Sequence, residues 1–130
     1  MDAFKTHGAP SWSELITTDP SAAADFYGKL LGWKFESMEM PGGVYRVVKV
    51  DETAVAGIMG QPLGAPAMPP AWGTYVTVDN VDESGKRAAE LGGKLIVPPS
   101  DVPGVGRFAV IQDPQGALLN LMTYERRTGD

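Results

Sequence analysis

Glu14 is the side chain whose type and position in this sequence best suit acid–base chemistry. It lies in the segment SWSELIT (11–17), where apolar and polar residues alternate as in a half-buried β-strand. Alternation puts Trp12, Glu14 and Ile16 on one face of that strand. A carboxylate on an otherwise apolar face is costly unless it is paired or solvated, and burial would raise its pKa. Glu14 is therefore a candidate catalytic acid or base, and the alternative is a purely structural pairing with an arginine or a backbone N–H.

Composition excludes most other catalytic machineries. The sequence contains no cysteine, so it has no thiol nucleophile, no disulfide and no cysteine-ligated metal site. Its one histidine, His7, lies near an N-terminus that we expect to be frayed, and a Ser–His–Asp triad is therefore not expected. The segment Gly104-Val105-Gly106 precedes a predicted strand rather than a helix, which argues against a dinucleotide-binding loop.

Length and charge predict a single acidic globular domain. The chain has 130 residues, 43% of them hydrophobic, and a net charge of -5. Such a charge disfavours nucleic acid and anionic lipid, because phosphates would be repelled. The first residues, MDAFKTHGAPSW, contain no apolar run, and no stretch is long enough to span a bilayer. We therefore expect a cytoplasmic protein with no nucleic-acid or membrane partner.

A first structural module is predicted over about residues 10–60. A strand at 11–19 leads to Asp19-Pro20, which suits the start of a helix through SAAADFYGKLL, and Gly32 is its predicted C-cap. Three strands follow, at Lys34–Met40, Val44–Val50 and Thr53–Met59, with a turn at 41–43 between the first two. Four prolines in GQPLGAPAMPPA then predict a linker over 60–71.

The same order of elements recurs over about residues 72–124. We predict a strand at 72–79, a helix over about 81–91 capped by Asn80 or Asp79, and strands at Lys94–Val97, Arg107–Gln112 and Ala117–Tyr124. A long loop is predicted at 98–106 and a turn at 113–116. The motifs LGWKF (31–35) and LGGKL (91–95) match at a shift of sixty, whereas the helix caps match equally well at sixty-one. Both registers remain open.

The sequence resembles the vicinal oxygen chelate superfamily, also called the glyoxalase/bleomycin resistance/dioxygenase family, over about residues 10–124. The segments that carry the resemblance are DFYGKLLGWKF in the first module, and VDNVDESGKRAAELGGKL and VGRFAVIQDPQGALLNL in the second. The resemblance implies an α+β fold of two tandem βαβββ modules, which form an open barrel-like sheet around a cleft with the helices outside. It also implies that homodimers are common.

The sequence departs from this family at the metal site. Metal-binding members place His, Glu or Gln on the first strand of each module and Glu on the last. Counting seven residues back from the helix caps reaches Trp12 in the first module and Gly73, or Trp72 at the other register, in the second; Asn120 stands where the second Glu is expected. The first module's last strand, AVAGIMG, has no ligating side chain. Indole and glycine cannot bind a metal and amides are weak ligands, so we expect no metal site and no cofactor.

The residues expected to line the cleft therefore form an apolar, aromatic surface with a few polar groups, as in pockets for organic ligands. They are Trp12, Glu14, Trp72, Tyr75, Phe108, Leu118, Asn120 and Met122. The two registers differ in which residues of the second module's first strand face the cleft. One register places Gly73, Tyr75 and Thr77 there, and the other places Trp72, Thr74 and Val76 there. Alternatively, Trp12 and Trp72 belong to the core or to a dimer interface. Arg107 could meet an anion, but its alternation with Phe108 points it away from the cleft.

Two functions fit these expectations. The first is a metal-free binding protein that holds a small organic molecule, in the manner of bleomycin resistance proteins. The second is a metal-independent isomerase, lyase or hydrolase of the same fold, which would use Glu14 as its acid or base. A structural dimerisation module is a third reading, disfavoured by the polar groups expected in the cleft. The sequence does not name the ligand.

Overall fold

The computed structural model describes residues 1–40, 43–61 and 68–125, and these ranges hold eight strands and two helices. The elements in chain order are β1 (Pro10–Thr17), α1 (Pro20–Leu31), β2 (Lys34–Met40), β3 (Gly43–Val50), β4 (Thr53–Gly60), β5 (Ala71–Thr77), α2 (Val81–Glu90), β6 (Lys94–Val102), β7 (Gly106–Gln112) and β8 (Leu118–Tyr124). This order confirms the predicted α+β class and the two βαβββ modules. Turn residues 41–42, linker residues 62–67 and the tail from 126 onward lie outside the described ranges.

The chain divides into two compact units, and the divisions fall within β1 and within β5. The first unit is Trp12–Gly73, and the second joins Met1–Ser11 to the chain from Thr74 onward. In the first unit the strand order is β2-β3-β4-β1, with β1 parallel to β4 and the other pairs antiparallel. One face of these strands carries the buried core, Leu15, Val48, Ala56 and Ile58, against which Ala23, Tyr27, Trp33 and Phe35 pack.

Helix α1 begins and ends where its sequence predicts. The Asp19 carboxylate accepts the Ala22 N–H at 3.0 Å, and Pro20 occupies the first turn, where its missing N–H has no intrahelical partner to lose. Gly32 ends the helix in the left-handed region at φ 75°, and its N–H donates to the Gly28 carbonyl. The helix is thereby fixed over the Leu15 face of β1.

The second unit repeats this plan. Its strand order is β5-β8-β7-β6, with β5 parallel to β8, and α2 starts at the Asn80 cap, whose side chain accepts from the N–H groups of Asp82 and Glu83. Its core consists of Val78, Val81, Ala109 and Leu121, with Val76, Ile111 and Leu119 packed against them. Neither helix in the described ranges is long and apolar enough to cross a membrane.

Strand β6 is longer than its sequence predicts. We expected a strand at Lys94–Val97 and a loop at 98–106, but β6 continues through two prolines to Val102. It pairs with β7 and ends the strand order of its unit, and its register shifts twice between Leu95 and Ser100. Both prolines lie in the second of these shifts, between Val97 and Ser100, where the regular pairing with β7 is interrupted, so neither has to supply an N–H to the ladder.

The N-terminal segment is held in place rather than frayed, so our expectation for His7 was wrong. The Gly8 N–H donates to the Thr77 carbonyl at 2.7 Å, and the Thr77 hydroxyl donates to the Ala3 carbonyl at 2.6 Å. The His7 Nδ1 atom accepts the Asp79 N–H at 2.9 Å, next to the start of α2. The single histidine therefore ties the N-terminal segment to the residue that precedes the Asn80 cap of α2.

Arg107 on β7 joins three elements of the second unit through hydrogen bonds to α2 and β6. Its guanidinium donates two hydrogen bonds to the Asp82 carboxylate on α2, at 2.9 and 3.0 Å, and one to Asp101 on β6 at 3.0 Å. The Arg107 hydrogen bond holds the pKa of Asp82 below its ordinary value of 3.8. The same partners raise the pKa of Arg107, so it stays charged.

This pairing predicts a pH-dependent contribution to stability. Because folding lowers the pKa of Asp82, the pair stabilises the fold above pH 3.8 and the contribution is lost as pH falls below that value. We expect Arg107→Gln to lower Tm at pH 6, and its Tm to converge on that of wild type as pH falls toward 3. Thermal melts over this range measure the gap. Arg87→Gln removes the same charge from a looser pair at 3.7 Å and serves as the control. A gap for Arg107→Gln that does not depend on pH would contradict the assignment.

Candidate functional site

The candidate site of the first unit lies on the face of β1 that points away from α1. Leu15 belongs to the core under the helix, so alternation turns Trp12 and Glu14 to the opposite face. Glu14 is only 8% exposed, and Trp12 is half-buried. The predicted strand face is therefore formed, with a buried carboxylate beside an indole.

Tyr45 on β3 joins these two side chains, and our sequence reasoning missed it. The Trp12 indole N–H donates to the Tyr45 hydroxyl at 3.0 Å, and that hydroxyl donates to Glu14 Oε2 at 2.8 Å. Both lengths are those of ordinary to strong hydrogen bonds. Trp12, Tyr45 and Glu14 thus form one chain of donors that ends at the carboxylate.

Two opposing effects act on the Glu14 carboxylate. Burial disfavours a charged carboxylate, whereas an O–H donated to its oxygen favours one. A buried carboxylate held in a defined orientation can accept a hydrogen bond from a bound molecule or take up a proton from it. The face therefore offers one acidic group within an aromatic surrounding.

The second unit has a corresponding face that points away from α2. Strand pairing sets Tyr75 opposite Asn120 and Met122 opposite Phe108. Each of these residues is next in sequence to a residue that packs in the α2 core, so alternation turns their side chains to the other face. Leu118 follows on the same side of β8 and is 50% exposed, whereas Tyr75 and Met122 are buried. The Asn120 amide donates to the Thr74 carbonyl at 3.3 Å. Five of the predicted ligand-binding residues thus share this face.

Trp72 is not brought to either of these faces. Its indole N–H donates to the Tyr27 hydroxyl at 3.1 Å, and its ring packs edge-on against Tyr27 and Trp33 at centroid distances of 5.5 and 5.9 Å. Tyr75, three residues along β5, lies on the other side of that strand. Of the two registers left open, the structure places Gly73, Tyr75 and Thr77 on the face opposite the helices.

A cavity of about 390 Å³ also lies on the α1 side of the first unit, away from Glu14. Its lining comprises Leu15, Thr17, Asp19, Ala22, Ala23, Phe26, Tyr27, Pro70, Ala71 and Trp72. Its two polar side chains from the end of β1 are engaged locally, since Asp19 caps α1 and Thr17 accepts the Asp19 N–H. The acidic group of this lining, Asp19, is thus part of the cap of α1.

The side chains at the family's metal positions do not fit a metal ion. The one polar atom of Trp12 is an N–H that donates to Tyr45, Gly73 has no side chain, and Asn120 offers an amide. Across residues 1–40, 43–61 and 68–125, no three His, Asp or Glu side chains come close enough together to hold one. No step of the chemistry is therefore assigned to a metal.

Sequence comparison identifies the family. The sequence model of the Glyoxalase/Bleomycin resistance protein/Dioxygenase superfamily matches residues 9–121. The chain belongs to this superfamily. The match covers both βαβββ modules, from the start of β1 into β8, and it confirms the resemblance drawn from the sequence motifs.

Several curated relatives share substantial identity with this superfamily member. The chain is 42% identical over 125 residues to CFP32 of Mycobacterium bovis, which carries the name glyoxylase; the match spans 94% of this chain and 48% of that protein. It is 37% identical over 123 residues to the anthracycline biosynthesis protein DnrV of Streptomyces peucetius, across 85% and 45% of the two chains. The chain thus spans about half the length of these relatives.

Solved structures show the same fold at low identity. Methylmalonyl-CoA epimerase from Mycobacterium tuberculosis superposes with a TM-score of 0.69 at 16% identity, over 94% of this chain and 92% of that one. The hypothetical protein BH1468 from Bacillus halodurans superposes with a TM-score of 0.70 at 14% identity, over 96% and 100%. At these identities the likeness concerns the fold alone.

The poor fit to a metal gives a direct prediction. We expect the purified superfamily member to contain far less than one equivalent of zinc, iron, nickel or manganese per chain, because Trp12, Gly73 and Asn120 replace the usual ligands. Elemental analysis after extensive dialysis measures the content. The prediction would be contradicted if the wild type held about one equivalent of any of these metals and Asn120→Ala lost that metal.

Proposed function

We propose that this protein binds a small organic molecule on the Glu14 face without the help of a metal. The observation that carries the proposal is the buried Glu14 carboxylate, fixed by the Tyr45 hydroxyl and flanked by the Trp12 indole. A few oriented polar groups within an aromatic surface are typical of organic-ligand sites. The face of the second unit that carries Phe108, Leu118 and Asn120 is the other proposed ligand-binding surface.

The relatives support a polycyclic aromatic ligand as the first class to test. The Streptomyces relatives carry names that refer to anthracycline biosynthesis, and their identity to this chain is 36–37%. Anthracyclines are planar fused-ring compounds, and an indole ring such as that of the half-buried Trp12 is a suitable stacking partner for such rings. Because this chain spans about half of those proteins, the ligand class is carried over as a proposal.

A metal-independent enzyme is the second candidate function, and the same carboxylate favours it. A buried carboxylate with an O–H donor is an arrangement in which a proton can be held or passed on. In this reading Glu14 is the acid or base of an isomerase, lyase or hydrolase. The two readings differ in whether the bound molecule is changed.

The binding proposal predicts a difference between Trp12 and Trp72, two of the three tryptophans of the first unit. We expect daunorubicin, a fluorescent anthracycline, to bind the wild-type protein, and Trp12→Leu to weaken binding about tenfold by removing a stacking surface. Trp72→Phe should bind as wild type does, because Trp72 lies on the α1 side and phenylalanine keeps its packing. Isothermal titration calorimetry measures both. Equal losses in the two variants would place the ligand elsewhere.

Glu14→Gln separates the candidate roles, because glutamine keeps the shape and most hydrogen bonds but cannot ionise. A catalytic role predicts a rate at least about a hundredfold lower with binding largely kept. A binding role predicts weaker affinity and no turnover in either protein. A structural role predicts a lower Tm with neither effect. The measurements are a thermal melt, a daunorubicin titration and turnover of a metabolite panel. A variant equal to wild type in all three would exclude Glu14 from function.

We also propose that the protein is a homodimer, because α1 leaves an apolar surface in water. Phe26, Leu30 and Leu31 are 58%, 62% and 54% exposed, and pairing would cover such a patch. Light scattering at micromolar concentration should give twice the chain mass of 13.8 kDa. Leu30→Glu should reduce the mass to one chain, whereas Leu91→Glu, at a residue 61% exposed in the other unit, should not. A monomeric wild type would refute the dimer.

A further inference from the structure

The contact between Tyr45 and Glu14 spans an intervening strand. Tyr45 is on β3 and Glu14 on β1, and β4 runs between them. With strands about 4.8 Å apart, the two backbones are separated by about 10 Å, so side chains that stand upright on the sheet would not meet. The Tyr45 hydroxyl nevertheless donates to Glu14 Oε2 at 2.8 Å. The ring of Tyr45 must therefore lie across β4.

Gly57 is the residue of β4 beneath this ring. The register pairs it with Glu14 on one side and with Val47, two residues from Tyr45, on the other. A Cβ atom at position 57 would overlap the Tyr45 ring and hydroxyl, far inside the 3.0 Å that real contacts respect. The backbone of Gly57 is not in the left-handed region. The three atoms nearest to such a Cβ all belong to Tyr45, so the tyrosine ring is the neighbour that requires a glycine at this position.

The hydrogen bonds of this cluster run in one direction. The Trp12 N–H donates to the Tyr45 oxygen, and the single hydroxyl proton of Tyr45 is committed to Glu14. The chain of donors ends at a carboxylate, which has two oxygens and about four acceptor positions. Because Glu14 Oε2 already acts as an acceptor, a bound molecule that reaches this carboxylate would meet an acceptor rather than a donor.

We propose that Tyr45 positions Glu14 to receive a cationic amine or a similar hydrogen-bond donor of the ligand. Gly57 permits this arrangement because it leaves room for the Tyr45 ring over β4. The ligand class rests on the proposed function. The arrangement of Tyr45 over Gly57 can be tested without any ligand.

The first experiment follows the indole N–H signals of the three tryptophans by NMR. In Tyr45→Phe the ring stays over Gly57 but the acceptor for Trp12 is gone, and in Gly57→Ala the hydroxyl remains but loses its place. Both changes should move the Trp12 signal and leave that of Trp72, which donates to Tyr27, unchanged. Gly60→Ala is the control on the same strand, since its Cβ would meet Pro20 at an ordinary 3.7 Å. A Trp12 signal that stays in place in Gly57→Ala would overturn the arrangement.

A second variant covers the possibility that Gly57→Ala disturbs the fold. In a Tyr45→Ala background no ring lies over position 57, so adding Gly57→Ala should cause no further drop in Tm. An equal drop in both backgrounds would show that the glycine serves the strand itself, which would overturn its assigned role.

The ligand class is tested with a matched pair of probes, daunorubicin and N-acetyldaunorubicin, which differ in one positive charge. The wild type should bind the amine about tenfold more tightly than the neutral amide, and this preference should disappear in Tyr45→Phe and Gly57→Ala but persist in Gly60→Ala. Equal binding of both probes by wild type would refute the assigned ligand class. If neither probe binds, the proposed anthracycline-type ligand fails, while the Trp12 signal still decides the role of Tyr45 and Gly57.

Discussion

A tyrosine hydroxyl that reaches across one strand to a buried carboxylate is the interaction on which the proposed site depends. Glu14 is buried, and a buried carboxylate is costly unless it is paired or hydrogen-bonded. The Tyr45 hydroxyl meets part of that requirement at 2.8 Å and fixes the direction of the carboxylate at the same time. The same oxygen holds the Trp12 indole, so the aromatic and the acidic parts of the site are oriented together.

The two faces of the first unit have different roles, and alternation along β1 places core residues on one face and the candidate site on the other. Leu15 packs into the core under α1, where Tyr27, Trp33 and Trp72 form an aromatic cluster around the helix. Its neighbour Glu14 faces the other way, toward Tyr45. Substitutions on the α1 side should therefore affect stability, whereas substitutions around Glu14 should affect the ligand. This separation makes Trp72 a useful control for Trp12.

Much of the fold could be predicted because local chemistry determines it. The caps Asp19 and Asn80, the C-cap Gly32 and the period-two pattern of β1 each act over a few residues, and the structure shows all of them. The extent of β6 could not be predicted, because its two prolines are accommodated by a register shift against β7 and by its place at the end of the strand order. That position is a property of the sheet rather than of the segment.

The candidate site was predictable only in part, for the same reason. Alternation placed Trp12 and Glu14 on one face, but their partner Tyr45 lies 31 residues from Glu14, and cross-strand register is needed to bring it near. The available signal was Gly57, a glycine inside the strand run AVAGIMG, since such a glycine often marks a close approach of another group. For Trp72, two registers of the repeat fitted the sequence equally well. Its hydrogen bond to Tyr27, which places it on the α1 side, decides between them.

The most direct measurement of the central claim is a double-mutant cycle on the free energy of unfolding with Tyr45→Phe, Glu14→Gln and the double variant. Each change removes one side of the same hydrogen bond and leaves the shape of the side chain nearly intact. A hydrogen bond to a charged group predicts a coupling energy of about 1.5–3 kcal/mol at neutral pH. The coupling should also fall as Glu14 is protonated in acid. Effects that add to within about 0.5 kcal/mol at every pH would show that Tyr45 does not hold Glu14.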